Sequence, residues 1–521
     1  MNKTDIIKDF NLHETVAEVL IERGYDEYWK LNRFINPKLA ELNEPSFILN
    51  IDKVKNKILQ HIDFGSKIYV FGDYDVDGVT SAAILYKTLK RMNANVEGKI
   101  SSRFKGGYSF SKQEIDEMGD SDLIISLDCG ISSYENIQYA KNKGIDFIVI
   151  DHHEQDNPPD ITWVDLKVDG GAYPFNKLSG AGITWKVCQH LVNDRLNNML
   201  DLVALSTIAD MVPLYGENRI IAKYGLNKME NTTNIGLKEL FKVNDVSDVS
   251  VGNIAYKVAP CINAQGRLDN NQISFELLTT NDNNKAKENA KQLYDINEVR
   301  KEETKKGLEL AEKQVNQGDN FIIVQGDFPP GIVGLIASDI KEKFNKPTLV
   351  FSKGNKIVKG SGRSVSPLHL FNTFNKFKYL FESGGGHEKA IGCSIKKNNL
   401  SKLKNKLNEY TRDIKYKKHW YDVELNINKV SKKLIDDLEI FQPCGIGNPN
   451  PRFFIKKRPT NINKSKDGKH LFFNLGQYRC VAFNKGEESL SNCFVGSLEY
   501  NDFRGKRSIQ VNIKNILREG E

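Results

Sequence analysis

Apolar residues along this chain fall into short continuous runs separated by stretches with helical spacing. Lys67–Phe71 (KIYVF) predicts a buried strand, and Ser81–Arg91 predicts the helix after it. Leu123–Leu127 (LIISL) and Phe147–Ile150 (FIVI) predict two further strands, each followed by a helix-like segment such as YENIQYAKNKG. Strand and helix in alternation predict an open, mostly parallel α/β sheet over residues 51–235, closed by a helix at Asp201–Val212. Residues 1–50 carry helical periodicity and form a lead-in. Residues 236–312 are helical and polar, ending in a long solvated helix that reads as a connector. A second, smaller α/β pattern covers 313–412, with strands at Phe321 (FIIVQ) and Thr348–Phe351 (TLVF). From 413 to 521, short strands (LFFNL, CVAFN, FVGSLEY, SIQVNI) between Gly, Asn and Asp turns predict a small β-barrel.

Composition narrows the classes. A chain of 521 residues is too long for one core. With 39% hydrophobic and 27% charged residues it is a globular protein, not a disordered, collagen-like or small disulfide-stapled one. No run of about 18 apolar residues predicts a membrane span, and MNKTDIIKDF lacks the apolar centre of a signal peptide. The 7 cysteines are scattered, with no C-x-x-C pair, which predicts free thiols in the cytoplasm and no structural zinc. Charge is uneven. Pro451–Glu521 holds 14 Lys+Arg against 7 Asp+Glu, so the net +7 of the whole chain resides there. A basic C-terminal module on a neutral body predicts a polyanion partner, nucleic acid or anionic lipid.

Three consecutive predicted strands end in acidic residues. KIYVFG runs into Asp73, Asp75 and Asp77, LIISL into Asp128, and FIVI into Asp151, His152 and His153. In an open parallel sheet the carboxyl ends of neighbouring strands meet at one crevice. Five aspartates and two histidines there repel unless compensated, which predicts bound cations, two rather than one. Oxygen-rich ligation with a histidine suits manganese or magnesium, and a pair of such ions suits phosphoryl hydrolysis. Asp151 is placed to orient a histidine. The DYDVDG segment also opens like a calcium-binding EF-hand loop, but the twelfth position is Ile84 and a strand precedes it. No G-x-G-x-x-G follows the first strand, which excludes a Rossmann dinucleotide site.

The set GDYDVDGVTS, SLDCGI, DHHE and ALSTIADMVPL resembles the DHH phosphoesterase superfamily, and within it the RecJ family of single-strand-specific exonucleases. The resemblance runs on through YPFNKLSGAGITWKV, INAQGRLDN, PPGIVGLIAS, GSGRS, GGGHEKAIG and FQPCGIGNPNPRF, nearly the whole chain. It implies a DHH catalytic domain at 51–235, a DHH-associated substrate-binding domain at 313–412 and an OB-fold nucleic-acid-binding domain at 413–521. It implies that Asp73, Asp75, Asp77, Asp128, His152 and Asp210 hold two divalent cations, manganese or magnesium, with Asp128 bridging. His153 would contact the scissile phosphate. Arg103, Asn263, Arg267, Ser361 and Arg363 would bind the strand near its 5′ end, and His387 would face the active-site cleft from the second lobe. The chain departs from the family at Cys261, usually Arg, and at Asp165, usually Asn.

In the tail, aromatics alternate with cations. Bases stack on rings and cations track phosphates, but more than half of these rings are expected in a barrel core. Lys506 and Arg507, in FRGKRS, are the better phosphate contacts. The resulting expectation is a cytoplasmic, monomeric, metal-dependent exonuclease of DNA repair and recombination that degrades single-stranded DNA from the 5′ end to 5′-mononucleotides. The resemblance implies as partners a single-strand DNA-binding protein and a RecQ-type helicase, and no membrane. Two other readings stay open: a DHH phosphodiesterase of short oligoribonucleotides or cyclic dinucleotides, and a non-catalytic strand-binding scaffold.

Overall fold

The computed structural model describes residues 1–102, 110–155, 157–168, 170–267, 272–416, 420–503 and 505–517. The chain divides into two compact units. One comprises Met1–Tyr294 together with Tyr421–Glu521, the other Asp295–Trp420. The division falls inside a 30-residue helix, Asn283–Glu312.

The first unit is built on five strands: β1 (Ile68–Gly72), β2 (Val96–Ile100), β3 (Leu123–Leu127), β4 (Asp146–Ile150) and β5 (Thr162–Val164). All pair in parallel, in the order β2-β1-β3-β4-β5. Alternate residues serve opposite faces. Ile68, Val70, Ile125 and Ile148 enter the main core, while Tyr69, Phe71, Ile124 and Phe147 enter a second core on the other side. Burial on both faces is why these strands read as unbroken apolar runs. The edge strands β2 (VEGKI) and β5 (TWV) have polar or few residues and escape that signal. The helical stretch after residue 236 also supplies the main core, through Leu237, Ile254, Ile262 and Leu277.

The second unit carries β6 (Ile322–Gly326), β7 (Thr348–Ser352), β8 (Ile357–Arg363), β9 (Phe381–Gly386) and β10 (Ala390–Lys396) in the order β6-β7-β8-β10-β9. Only β6 and β7 run parallel. The C-terminal segment forms β11 (Val423–Glu424), β12 (Phe453–Lys456), β13 (Thr460–Lys464), β14 (Leu471–Leu475), β15 (Tyr478–Ala482), β16 (Cys493–Phe503) and β17 (Lys506–Leu517). They join one sheet in the order β11-β12-β16-β17-β15-β14-β13. Its core is shared with the N-terminal helices. Ile6, Val16, Leu20, Leu31 and Phe34 pack in one cluster with Phe441, Phe453, Phe473 and Phe494. Among the described residues the lead-in therefore has no core of its own.

Fewer tail aromatics are buried than expected. Phe473 and Phe494 are buried, Phe472, Tyr478 and Tyr500 are half-buried, and Phe483 is exposed. The cause is strand alternation: along β14, Leu471, Phe473 and Leu475 face the core while Phe472 and Asn474 do not. No helix among the described residues is long and apolar enough to cross a membrane.

One close approach locks two helices of the first unit together. Helix Gly216–Glu230 crosses Leu200–Ala209 at Gly225, where a Cβ would lie 2.2 Å from the Ala204 Cβ and 2.5 Å from the Leu200 carbonyl oxygen. Gly225→Ala gains about 1 kcal/mol of helix propensity, but it forces two backbones apart at about 1–3 kcal/mol. Urea unfolding is expected to show a net loss of stability; equal or higher stability would mean that the crossing is looser than described.

Candidate metal centre

Three strand ends and two helix ends build the centre. Asp73 follows β1, is 1% exposed, and accepts a hydrogen bond from Ser101 Oγ at 2.7 Å. Two residues on, Asp75 caps the helix Val76–Arg91, accepting from the backbone N–H of Asp77 (2.9 Å) and Gly78 (3.1 Å). Asp77, in that helix's first turn, is 1% exposed. Its carboxylate accepts from the N–H groups of Gly180 and Ala181, both at 2.7 Å, and from Ser206 Oγ at 2.5 Å. The donors Gly180 and Ala181 open the helix Gly180–Val192, whose amino end favours a negative charge. Gly180 is required there, because a Cβ would crowd the Asp128 and Asp77 side chains at 3.0–3.2 Å.

Asp128 follows β3 in a left-handed conformation, φ 60°, and its N–H donates to the Ile150 carbonyl. The carboxylate is turned into the crevice, where Oδ1 is buried with no hydrogen-bond partner. His152, after β4, places Nε2 at 3.1 Å from Asp128 Oδ1, 3.6 Å from Asp77 Oδ2 and 3.9 Å from Asp210 Oδ2. Asp210 caps the end of Leu200–Ala209. Three overlapping sets thus bring possible ligand atoms within 4.8 Å of one another: Asp73, Asp75 and Asp128; Asp77, His152 and Asp210; Asp128, His152 and His153.

Asp151 belongs to none of these sets. Its oxygens accept from the N–H groups of Ile131 (3.0 Å) and His152 (2.8 Å) and from His153 Nδ1 at 2.7 Å. Burial pushes its carboxyl up, but the hydrogen bond and positive charge of His153 prevail and hold it at about 2. Asp151 is therefore ionised and fixes the His153 ring. Burial opposes a charge on His153, yet Asp151 raises its pKa. His152 is pushed down to about 4 by burial, which keeps it neutral and able to ligate.

The remaining carboxylates show what the cluster lacks. Burial, then repulsion from Asp75, pushes Asp73 up to about 7. Burial and then Asp77 push Asp128 and Asp210 well above the usual range. Oxygen donors that resist ionisation alone, one of them orphaned, fit divalent cations, which replace those protons with positive charge.

The other expected site residues are distributed as follows. Asn263 Oδ1 accepts from the Val76 N–H at 3.0 Å, so it helps cap the helix that carries Asp75 and Asp77. In the second unit, Arg363 Nη1 donates to Ser361 Oγ at 2.9 Å. A Cβ on Gly334, in the first turn of Val333–Phe344, would lie 3.2 Å from that Oγ and 3.1 Å from Arg363 Nη2. Serine, arginine and a helix amino end thus form one polar notch. His387 is exposed in the turn between β9 and β10. Arg507 is exposed on β17, 4.1 Å over the Tyr500 ring and 3.5 Å from Asp502. Arg103 lies outside the described residues, as do the side chains of Arg267 and Lys506. Cys261 is fully buried in the main core, where it offers nothing to a phosphate. Asp165 is buried too, its Oδ2 without a partner, and burial pushes it up to about 7. Sequence reasoning missed Ser101, Ser206 and the Gly180–Ala181 amides. Their only local signal is the small-residue helix start Ser179-Gly180-Ala181-Gly182, with Ser179 as its cap.

Two outcomes follow for Mn2+. Asp128→Asn abolishes the stabilisation that Mn2+ gives the wild type, about 2.7 kcal/mol at a hundredfold excess over Kd and read as a rise in melting temperature, while melting in EDTA stays close to wild type. An undiminished Mn2+ response would remove Asp128 from the centre. Mn2+ affinity also weakens as pH falls through about 7, where Asp73 takes up a proton, and binding releases protons. Calorimetry in buffers of different ionisation enthalpy measures that release; no release would contradict the assignment.

Residues 67–207 match the DHH family, N-terminal domain, residues 318–413 the DHHA1 domain, and residues 421–515 the RecJ OB domain. The single-stranded-DNA-specific exonuclease RecJ of Bacillus subtilis (strain 168) is 31% identical over 97% of this chain and 68% of its own length. Its counterpart in Haemophilus influenzae is 28% identical over 92% of both. The crystal structure of RecJ in complex with Mn2+ from Thermus thermophilus superposes with a TM-score of 0.88 at 24% identity, covering 98% of this chain and 77% of that one, which shows a common fold. A crystal structure of exonuclease RecJ bound to manganese gives 0.63 at 27% identity, over 73% of this chain and 97% of that one. With that identity along nearly its entire length, the chain belongs to the RecJ family of DHH phosphoesterases.

Proposed function

We propose that this protein is a metal-dependent exonuclease that hydrolyses single-stranded DNA from a 5′ end and releases 5′-mononucleotides. The observation that carries the reading is the crevice in which Asp73, Asp75, Asp77, Asp128, His152 and Asp210 converge. Asp73, Asp75 and Asp128 would hold one divalent cation, and Asp77, His152 and Asp210, with Asp128 between, the other. When bound, manganese or magnesium supplies Lewis acidity toward the attacking water and the leaving oxygen.

The chain's own residues do the rest. Asp151 fixes the His153 ring through Nδ1 and favours its charged form, so the imidazolium donates toward a phosphate oxygen and neutralises charge as it develops. The amide pair Gly180–Ala181 and Ser206 hold the Asp77 carboxylate in place by three hydrogen bonds. Asn263 holds the first turn of the helix that presents Asp75 and Asp77. Ser361 and Arg363 form the notch for a 5′ phosphate, and His387 joins the strand path. Arg103, Arg267 and Lys506 would add cations along the strand. Arg507, braced by Tyr500, presents a guanidinium to the backbone.

The reading places the enzyme in the cytoplasm, as a monomer acting in DNA repair and recombination, supplied with strand by a RecQ-type helicase and a single-strand DNA-binding protein. All seven cysteines are free thiols, which agrees with a reducing compartment.

The test uses a single-stranded oligonucleotide with a 5′ phosphate and a 3′ fluorophore, with Mn2+ or EDTA, beside a blunt duplex and a hairpin-blocked 5′ end. Labelled products that shorten from the free 5′ end, only with Mn2+ and only on single strand, are expected. Hydrolysis of short RNA or dinucleotides instead of DNA would identify a small-substrate phosphodiesterase, and tight binding without hydrolysis a scaffold. Arg363→Met is expected to raise KM on 5′-phosphorylated strand by about tenfold or more, in line with loss of a charge-assisted contact of about 1.5–3 kcal/mol; an unchanged KM would remove Arg363 from the strand path.

A further inference from the structure

Asp210 differs from Asp73, Asp75 and Asp77 in how it is held. Asp73, Asp75 and Asp77 each accept hydrogen bonds from serines or backbone amides. Among the described residues, no hydrogen bond reaches the Asp210 side chain. Its place is set by the backbone, at the cap that follows Leu200–Ala209, after which Met211 turns left-handed (φ 57°). Where the following loop is fastened therefore fixes where Asp210 points.

That loop is fastened by the C-terminal segment. The Leu214 N–H donates to the Ile446 carbonyl at 2.7 Å. Gly447, at φ 72°, lies so close that a Cβ would stand 2.7 Å from Pro213 Cβ and 2.9 Å from the Tyr215 ring. A Cβ on Gly445 would likewise stand 2.7 Å from Leu214 Cδ1. The segment closes on itself, since Asn448 Nδ2 donates to the Phe441 carbonyl at 2.7 Å and to the Pro443 carbonyl at 3.0 Å. A second grip comes from Arg219, on the helix just after the loop. It is 2% exposed, and its guanidinium donates to the carbonyls of Ile440 (2.6 Å), Gln442 (2.9 Å), Phe441 (3.0 Å) and Phe34 (3.1 Å). Among the described residues it has no carboxylate partner; main-chain oxygens and the Phe34 ring, 3.9 Å from the guanidinium, compensate the charge. Both grips lie within the first unit.

We propose that the segment Phe441–Asn448, gripped by Arg219, is a brace that sets the position of Asp210 and so the cation affinity of the Asp77–His152–Asp210 site. Arg219 and Gly447 are positioning residues, and the strand-binding module also completes the metal centre. The brace rests on the reading of Asp210 as a ligand.

Calorimetric titration of the full-length protein with Mn2+ tests it, using wild type, Gly447→Ala and Gly468→Ala. Gly468 is the matched control. It is left-handed to the same degree, φ 71°, but a Cβ there meets nothing within 4 Å. Both variants carry the same backbone strain; only Gly447→Ala pushes on the loop. Wild type is expected to bind two ions. Gly447→Ala should weaken one of them by roughly tenfold or more, the loss typical when a ligand's support is removed, and leave the other unchanged, and Gly468→Ala should bind both as wild type. For DNA hydrolysis, Gly447→Ala should lower kcat with KM for the strand unchanged. Two wild-type affinities in Gly447→Ala, or equal weakening of both sites, would overturn the brace. Absence of Mn2+ binding by wild type would instead overturn the metal reading beneath it. Should Gly447→Ala fail to fold, as circular dichroism would show, Arg219→Lys carries the same comparison, because an ammonium cannot reach all four carbonyls at once.

Discussion

Buried and half-buried carboxylates of like charge, gathered at one edge of one sheet, are the constraint on which the rest of this structure depends. Placing Asp73, Asp75, Asp77, Asp128 and Asp210 together opposes folding unless something compensates them. The fold supplies partial answers: a helix amino end and a serine on Asp77, a helix-capping role for Asp75, a serine on Asp73. It leaves Asp128 Oδ1 without a partner and pushes Asp73, Asp128 and Asp210 toward their neutral forms. What remains uncompensated has the shape and chemistry of a site for two hard cations. Asp151 is the exception that defines the rule, because it is buried as deeply as Asp73 yet stays ionised by spending its oxygens on the His153 ring and three amides.

Much of this centre was legible in the chain because its chemistry is local. An apolar run buried on both faces ends at a sheet edge, and the next residue enters the crevice; three such runs in succession place Asp73, Asp128 and Asp151 together by topology alone. What escaped the sequence is what depends on distant segments. No periodicity announces that Gly180 and Ala181 will meet Asp77 across about a hundred residues, or that Asn263 will cap the helix at Val76. The edge strands β2 and β5 were invisible because solvent on one side relaxes their composition. Burial of the tail aromatics was overstated because alternation along β14 turns Phe472 outward beside the buried Phe473.

The chain's two ends illustrate the same limit on a larger scale. Residues 1–50 read as a helical lead-in and residues 413–521 as a separate module, yet Ile6, Val16, Leu20, Leu31 and Phe34 of the first share one hydrophobic core with the second. A short helical segment cannot bury its apolar face alone, so it completes the C-terminal sheet. Charge follows the packing: Arg23 pairs with Asp422 at 2.7 Å and Lys429 with Glu14 at 2.8 Å. The basic module is thereby tied to the N-terminal helices by apolar burial and ion pairs, and to the catalytic domain by the carbonyl cage around Arg219.

The most direct measurement of the central claim is anomalous diffraction from crystals grown with Mn2+. The account predicts two anomalous peaks, one among Asp73, Asp75 and Asp128 and one among Asp77, Asp128, His152 and Asp210, with His153 and Asp151 outside both. A single peak, or peaks away from these side chains, would contradict it.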